Sequence, residues 1–125
     1  MKTKLLALIA GSVALASGPA LAHHSFAMFD RDKEVTIVGT VKEFQWTNPH
    51  SWIQVNVPGK NGKVVEWSIE GGSPNIMVRQ GWKRDIMKPG DKVTVVLNPM
   101  KDGSPGGSLV RVTMPSGLTL PPKAP

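Results

Sequence analysis

Residues 35–46 read VTIVGTVKEFQW, a stretch dominated by the β-branched and aromatic residues typical of strands. Its apolar side chains change parity along the way: Val35, Ile37 and Val41 share one parity, and Phe44 and Trp46 take the other. Such a change inside one strand indicates a β-bulge or a sharp bend, and Gly39 relaxes the backbone nearby. The stretch therefore predicts a long first strand that bends to serve both sides of a barrel.

The chain beyond this strand alternates apolar segments with turn signals. Asn48-Pro49 and the glycines of 58–62 predict two reversals. The predicted elements are strands at 50–57, 65–70, 92–97 and 109–114, with a helix at 74–80. The order β-β-β-α-β-β is that of the OB-fold, a five-stranded Greek-key barrel. A small open β-sandwich is the alternative all-β architecture.

Alternation within these segments assigns side chains to the two faces. We expect Val65, Trp67 and Ile69 to point into the barrel and Glu66 and Glu70 to point out. In the helix, we expect Ser73 to cap the start, Gly81 to end it, and Ile76 and Met77 to seat it on the barrel. His50 should lie close to the Glu70–Gly72 end of the neighbouring strand.

The first 22 residues have the three parts of a secretory signal peptide. Lys2 and Lys4 precede the apolar stretch Leu5–Ala16, and Ala20-Leu21-Ala22 provides a cleavage motif. The apolar stretch is too short to span about 30 Å of hydrocarbon. We therefore expect a periplasmic protein that does not span the membrane. Its parts would be a cleaved signal at 1–22, an arm at 23–34, a barrel at 35–114 and a proline-rich tail at 115–125.

Composition narrows the classes of function. The chain has no cysteine, which excludes disulfides, iron–sulfur clusters and thiolate metal sites. After cleavage, 13 basic residues face nine acidic ones, a net charge of +4 that does not predict a nucleic-acid partner. The sequence contains no nucleophile elbow, phosphate-binding loop or paired catalytic acids, so we expect a binding protein rather than an enzyme.

The three histidines are the strongest candidates for chemistry. Cleavage after Ala22 would give His23 a free amine, so its two nitrogens would chelate a divalent ion, and His50 would add a third nitrogen. Such a nitrogen set favours Cu(II). The alternative set is the amine, the first peptide nitrogen and the His24 imidazole. Three carboxylates are candidates for holding an imidazole in place, namely Asp30, Glu66 and Glu70. In the simplest alternative, His50 only hydrogen-bonds Glu70.

A second hypothesis is a ligand platform on the outer face of the barrel. Trp46, Trp52 and Gln54 would bind an envelope ligand, such as a glycan, a peptide or a partner subunit. The methionines of the mature chain are scattered through the sequence, so we expect them to fill the core.

Four segments together resemble a family of small exported Gram-negative proteins of unknown function. They are HHSFA at 23–27, W-x-NPH-S at 46–51, EGGSPN at 70–75 and KPGD at 88–91. The resemblance implies a single periplasmic domain and supplies no activity. Its signature positions are His23, His24, Trp46, Asn48, Pro49 and His50.

Overall fold

A computed structural model of the chain describes residues 26–122. Its elements in order are a 3-10 turn at Phe26–Met28, β1 at Val35–Gln45, β2 at Trp52–Pro58, β3 at Val64–Glu70, α1 at Pro74–Arg79, β4 at Lys92–Pro99, β5 at Gly106–Thr113 and β6 at Thr119–Leu120. The predicted signal peptide at 1–22 lies outside the described residues, and so do the two histidines that follow it, His23 and His24.

The strands form a closed barrel. Neighbours follow the order β3-β2-β1-β4-β5-β6, and a further pairing between β3 and β5 closes the sheet on itself. The closing pair is parallel and joins Ser68–Glu70 to Gly106–Ser108, whereas the other pairs are antiparallel. A five-stranded Greek-key barrel with one helix between β3 and β4 is the OB-fold, so the predicted fold is confirmed over the open sandwich.

The predicted bulge of β1 is present, and it lies at the change of parity after Val41. The register against β2 shifts between Val41 and Glu43, which places the extra residue at Lys42. Gly39 allows β1 and β2 to approach each other closely, because a Cβ there would collide with the carbonyl oxygen of Asn56 on β2. The bend lets β1 pair with β4 along its first half and with β2 along its second.

The helix buries one residue against the barrel rather than two. Met77 is 2% exposed, whereas Ile76 is 54% exposed, so the expectation that both seat the helix was wrong for Ile76. A helix of six residues presents little more than one turn to the sheet, and only the inner position is covered. Gly81 then turns the chain with a φ of +92°, and Trp82 after it is buried in the core, a role the sequence did not predict.

The two ends of β3 differ from the predicted alternation. Val65 is 40% exposed because it lies near the free hairpin end, where β5 does not pair with β3. Glu70, expected to face solvent, is 6% exposed. The last three residues of β3 lie between β2 on one side and β5 on the other. Closure of the barrel therefore encloses a position that the alternation pattern assigns to the surface.

The C-terminal segment adds a short strand that was not predicted. Thr119–Leu120 pairs with Val112 and Thr113 at the edge of β5. Leu120 belongs to the hydrophobic core. Part of the proline-rich tail is thus integrated in the barrel.

The start of β5 depends on the absence of a side chain. A Cβ on Gly107 would collide with the carbonyl oxygen of Asn98 and stand 2.5 Å from a methyl carbon of Leu97. We expect Gly107→Ala to lower the free energy of unfolding by about 1–3 kcal/mol, measured by urea denaturation. Gly72→Ala is the control, because its nearest side-chain contact would be an ordinary 3.5 Å, and it should cost less than about 0.5 kcal/mol. Equal losses in the two variants would contradict this account.

Candidate functional site

The turn before β2 is tied to the chain that leaves β3. Thr47 Oγ1 donates to the His50 carbonyl oxygen at 2.8 Å, which fixes the turn. The Ser51 amide donates to the Gly72 carbonyl at 2.8 Å, and the Gly71 amide donates to the Ser51 carbonyl at the same distance. These bonds hold His50 beside the end of β3, as the hairpin register predicted.

The His50 ring is oriented through one of its nitrogens. Nδ1 lies 3.1 Å from the Gly71 carbonyl oxygen and 3.3 Å from Glu70 Oε1. A carbonyl oxygen only accepts hydrogen bonds, so this geometry assigns the ring proton to Nδ1. In the neutral ring, Nε2 then carries the lone pair. A carbonyl or carboxylate partner on one nitrogen is the usual arrangement in metal-binding histidines, where it fixes the tautomer and the ring orientation.

Glu70 is the buried charge of the site. Its side chain is only 7% exposed, and Oε1 is the oxygen next to His50. Oε2 is buried and has no hydrogen-bond partner among residues 26–122. Burying a carboxylate oxygen without a partner is costly. A nearby cation or hydrogen-bond donor would offset that cost.

Two neighbouring cavities meet at this carboxylate. The first, which we call the His50 cavity, has a volume of about 440 Å³ and is bordered by the turn at Pro49, by His50 and by the start of α1. The second, which we call the Trp52 cavity, has a volume of about 180 Å³ and lies over the start of β5. Glu70 and Phe29 line both. Glu70 therefore faces two adjoining spaces of different composition.

The N-terminal segment closes one side of both cavities. Phe29 forms an isolated antiparallel bridge with Met100 and is 5% exposed. The Asp30 amide donates to the Pro99 carbonyl at 2.8 Å, and the Lys101 amide donates to the Met28 carbonyl at 2.9 Å. The predicted arm thus packs on the barrel over its described part, and it does so at the candidate site.

The other predicted site residues lie elsewhere or have other partners. The Asp30 carboxylate is 3.2 Å from Lys33, and Glu66 forms an ion pair with Lys42 at 2.6 Å. Trp46 packs edge-on against Phe44, and Gln54 donates to Gln45 at 3.4 Å. Of the predicted site residues in the described chain, His50 and Glu70 line the His50 cavity, and Trp52 and Glu70 line the Trp52 cavity. The outer-face platform for an envelope ligand stays a prediction.

Within residues 26–122, no three His, Asp or Glu side chains come together as a metal site would require. The proposed first ligand, His23, and its alternative, His24, lie outside that range. Sequence reasoning missed Phe29, Met28 and Met100 as cavity residues. The only signal for Met28 and Phe29 was the apolar run FAMF at 26–29 within the arm, and nothing in the sequence pointed to Met100.

The half-buried His50 and the buried Glu70 should be energetically coupled through their contact. We expect a double-mutant cycle of His50→Ala and Glu70→Gln to show a coupling free energy of about 1–2 kcal/mol in urea denaturation at neutral pH. The exposed pair Lys42–Glu66 is the matched control and should couple by less than about 1 kcal/mol. A coupling at His50–Glu70 no larger than that of the control would contradict the orienting role of Glu70.

Comparison with known proteins identifies a family for the chain but no activity. No curated protein matches it in sequence. Among solved structures, it is similar to a mitochondrial single-stranded DNA binding protein of S. cerevisiae, with a TM-score of 0.51 and 13% identity over 66% of this chain and 93% of that one. At this identity the likeness supports the OB-fold alone. In the described chain, no helix is long and apolar enough to cross a membrane. The model of a family of unknown function, DUF6152, matches residues 10–109, and the chain belongs to that family.

Proposed function

We propose that the chain is exported to the periplasm, cleaved after Ala22, and binds one Cu(II) ion through His23 and His50. The observation that supports the proposal is the bond from His50 Nδ1 to the Gly71 carbonyl, because with Nδ1 protonated the nitrogen that would bind a metal is Nε2, and His50 lines a cavity. The amine and imidazole of His23 would supply the other two nitrogens. Among the first-row divalent ions, Cu(II) binds such a set of three nitrogen donors most tightly.

The path of the N-terminal segment supports this ligand set. Phe29 lines the same cavity as His50, and His23 precedes it by six residues. A chain of that length spans at most about 20 Å, so the covalent connection keeps the new terminus within reach of the cavity. The backbone hydrogen bonds at Met28 and Asp30 anchor the segment, so only a short loop must be closed for His23 to reach the cavity, and its entropic cost is small.

The buried carboxylate supports a cation rather than an anion at this place. Glu70 Oε1 lies beside Nδ1, where a negative charge makes the imidazole a stronger donor to a metal through Nε2. A bound Cu(II) would in turn compensate the charge that the barrel encloses.

The cleavage-dependent ligand gives a sharp test. We expect the mature chain to bind one equivalent of Cu(II) with nitrogen superhyperfine structure in its electron paramagnetic resonance spectrum. One glycine inserted before His23 removes the amine–imidazole chelate and should weaken binding by at least about tenfold, or 1.4 kcal/mol. His50→Ala should change the spectrum and lower the affinity as well. Identical spectra and affinities in the native and extended chains would overturn the proposal.

Two further variants separate the alternatives. His24→Ala should leave the His23–His50 site intact, whereas loss of binding in this variant would assign the metal to the amine, the first peptide nitrogen and His24. Glu70→Gln should weaken Cu(II) binding by roughly 10–100-fold, the usual effect of removing a partner that orients a metal-ligating imidazole. The exposed Glu66→Gln is its control, since Glu66 pairs with Lys42 instead.

A further inference from the structure

The barrel divides its methionines into two groups. Met77, Met87 and Met114 are buried in the core, as the sequence predicted. Met28 and Met100 lie outside that core and line the Trp52 cavity. Met28 is 36% exposed, so its side chain is accessible from solvent. Two thioethers far apart in sequence therefore border one small space.

Backbone pairing holds these two methionines together. Met100 stands opposite Phe29 in an antiparallel bridge, and the residue after it, Lys101, donates its amide to the Met28 carbonyl. The Met100 amide donates to the Gly106 carbonyl at 3.2 Å, and Gly106 itself packs so close to the Ser68 carbonyl oxygen that a Cβ there would stand only 2.6 Å from it. The juxtaposition is thus built into the fold.

We propose that the Trp52 cavity is a binding site for a soft monovalent cation, Cu(I), with the thioethers of Met28 and Met100 as ligands. Thioether sulfur selects Cu(I) over harder divalent ions. The aromatic ring of Trp52, which lines the same cavity, adds an attractive surface for a cation. The inference deepens the proposed copper function, but it depends on a different set of atoms.

The charge of the cavity fits a cation. Glu70 is the only charged residue among its described lining residues, and no Lys or Arg is among them. One oxygen of that carboxylate is buried without a hydrogen-bond partner in the described chain. A monovalent cation bound to two neutral thioethers would balance this single negative charge. A divalent ion would prefer the nitrogen donors proposed for the His50 cavity.

The test uses Ag(I) as a redox-stable probe of Cu(I) sites, on the mature chain with 13C-labelled methionine methyl groups. We expect the ε-methyl resonances of Met28 and Met100 to shift with one equivalent of Ag(I), while those of Met77, Met87 and Met114 stay in place. Met28→Leu and Met100→Leu should each weaken Ag(I) binding by at least about tenfold. Met114→Leu is the volume-conserving control and should leave the affinity unchanged.

Other outcomes distinguish this proposal from the one before it. His50→Ala and the glycine-extended chain should keep full Ag(I) affinity, since neither touches the thioethers. If His50→Ala and the glycine-extended chain lose affinity for Ag(I) as well as for Cu(II), both ions bind at the nitrogen site, and the proposal of a thioether site is wrong. The proposal also fails if Ag(I) leaves the Met28 and Met100 methyls unmoved. If tetramethylammonium shifts them and Ag(I) does not, the cavity accepts an organic cation and the metal assignment is wrong.

Discussion

The parallel pairing between the end of β3 and the start of β5 is the contact on which the rest of the structure depends. It closes the barrel. It also brings β5 so close to β3 and β4 that positions 106 and 107 have no room for a side chain, and both are glycine. The Ser68 amide bonds to the Pro105 carbonyl just before this pairing begins. Without this closure, Glu70 would lie on an open edge with both oxygens in water.

Closure instead creates an electrostatic constraint that the fold only partly satisfies. Glu70 Oε1 has His50 beside it, whereas Oε2 is buried with no hydrogen-bond partner among the described residues. An apolar side chain would avoid this cost, and replacing a buried ionic group by an apolar one is often neutral or stabilising. An unsatisfied buried carboxylate therefore calls for a specific explanation. Its position between two cavities supports ligand binding as that explanation.

Local sequence rules predicted the architecture, because turns and alternation are encoded over a few residues. The parity change after Val41, the reversal at Asn48-Pro49 and the start of the helix at Pro74 are all readable this way. Features that arise from pairing between distant segments could not be predicted from these local patterns. Glu70 follows the alternation of an exposed position, and only the contact of β3 with β5 buries it. The same limit applies to the methionine pair, since Met28 and Met100 meet through a bridge across 72 positions.

The two proposed metal sites differ in what creates them. The thioether site depends on the backbone bridge between the N-terminal segment and the end of β4, so the folded chain presents it whether or not its terminus has been processed. The nitrogen site needs a free amine on His23, which exists only after cleavage at Ala22. Because Glu70 borders both cavities, ions bound in the two cavities would lie close to each other and repel. If both sites bind copper, occupation of one should therefore weaken the other, and Glu70→Gln should weaken binding at both because each ion loses the same neighbouring negative charge.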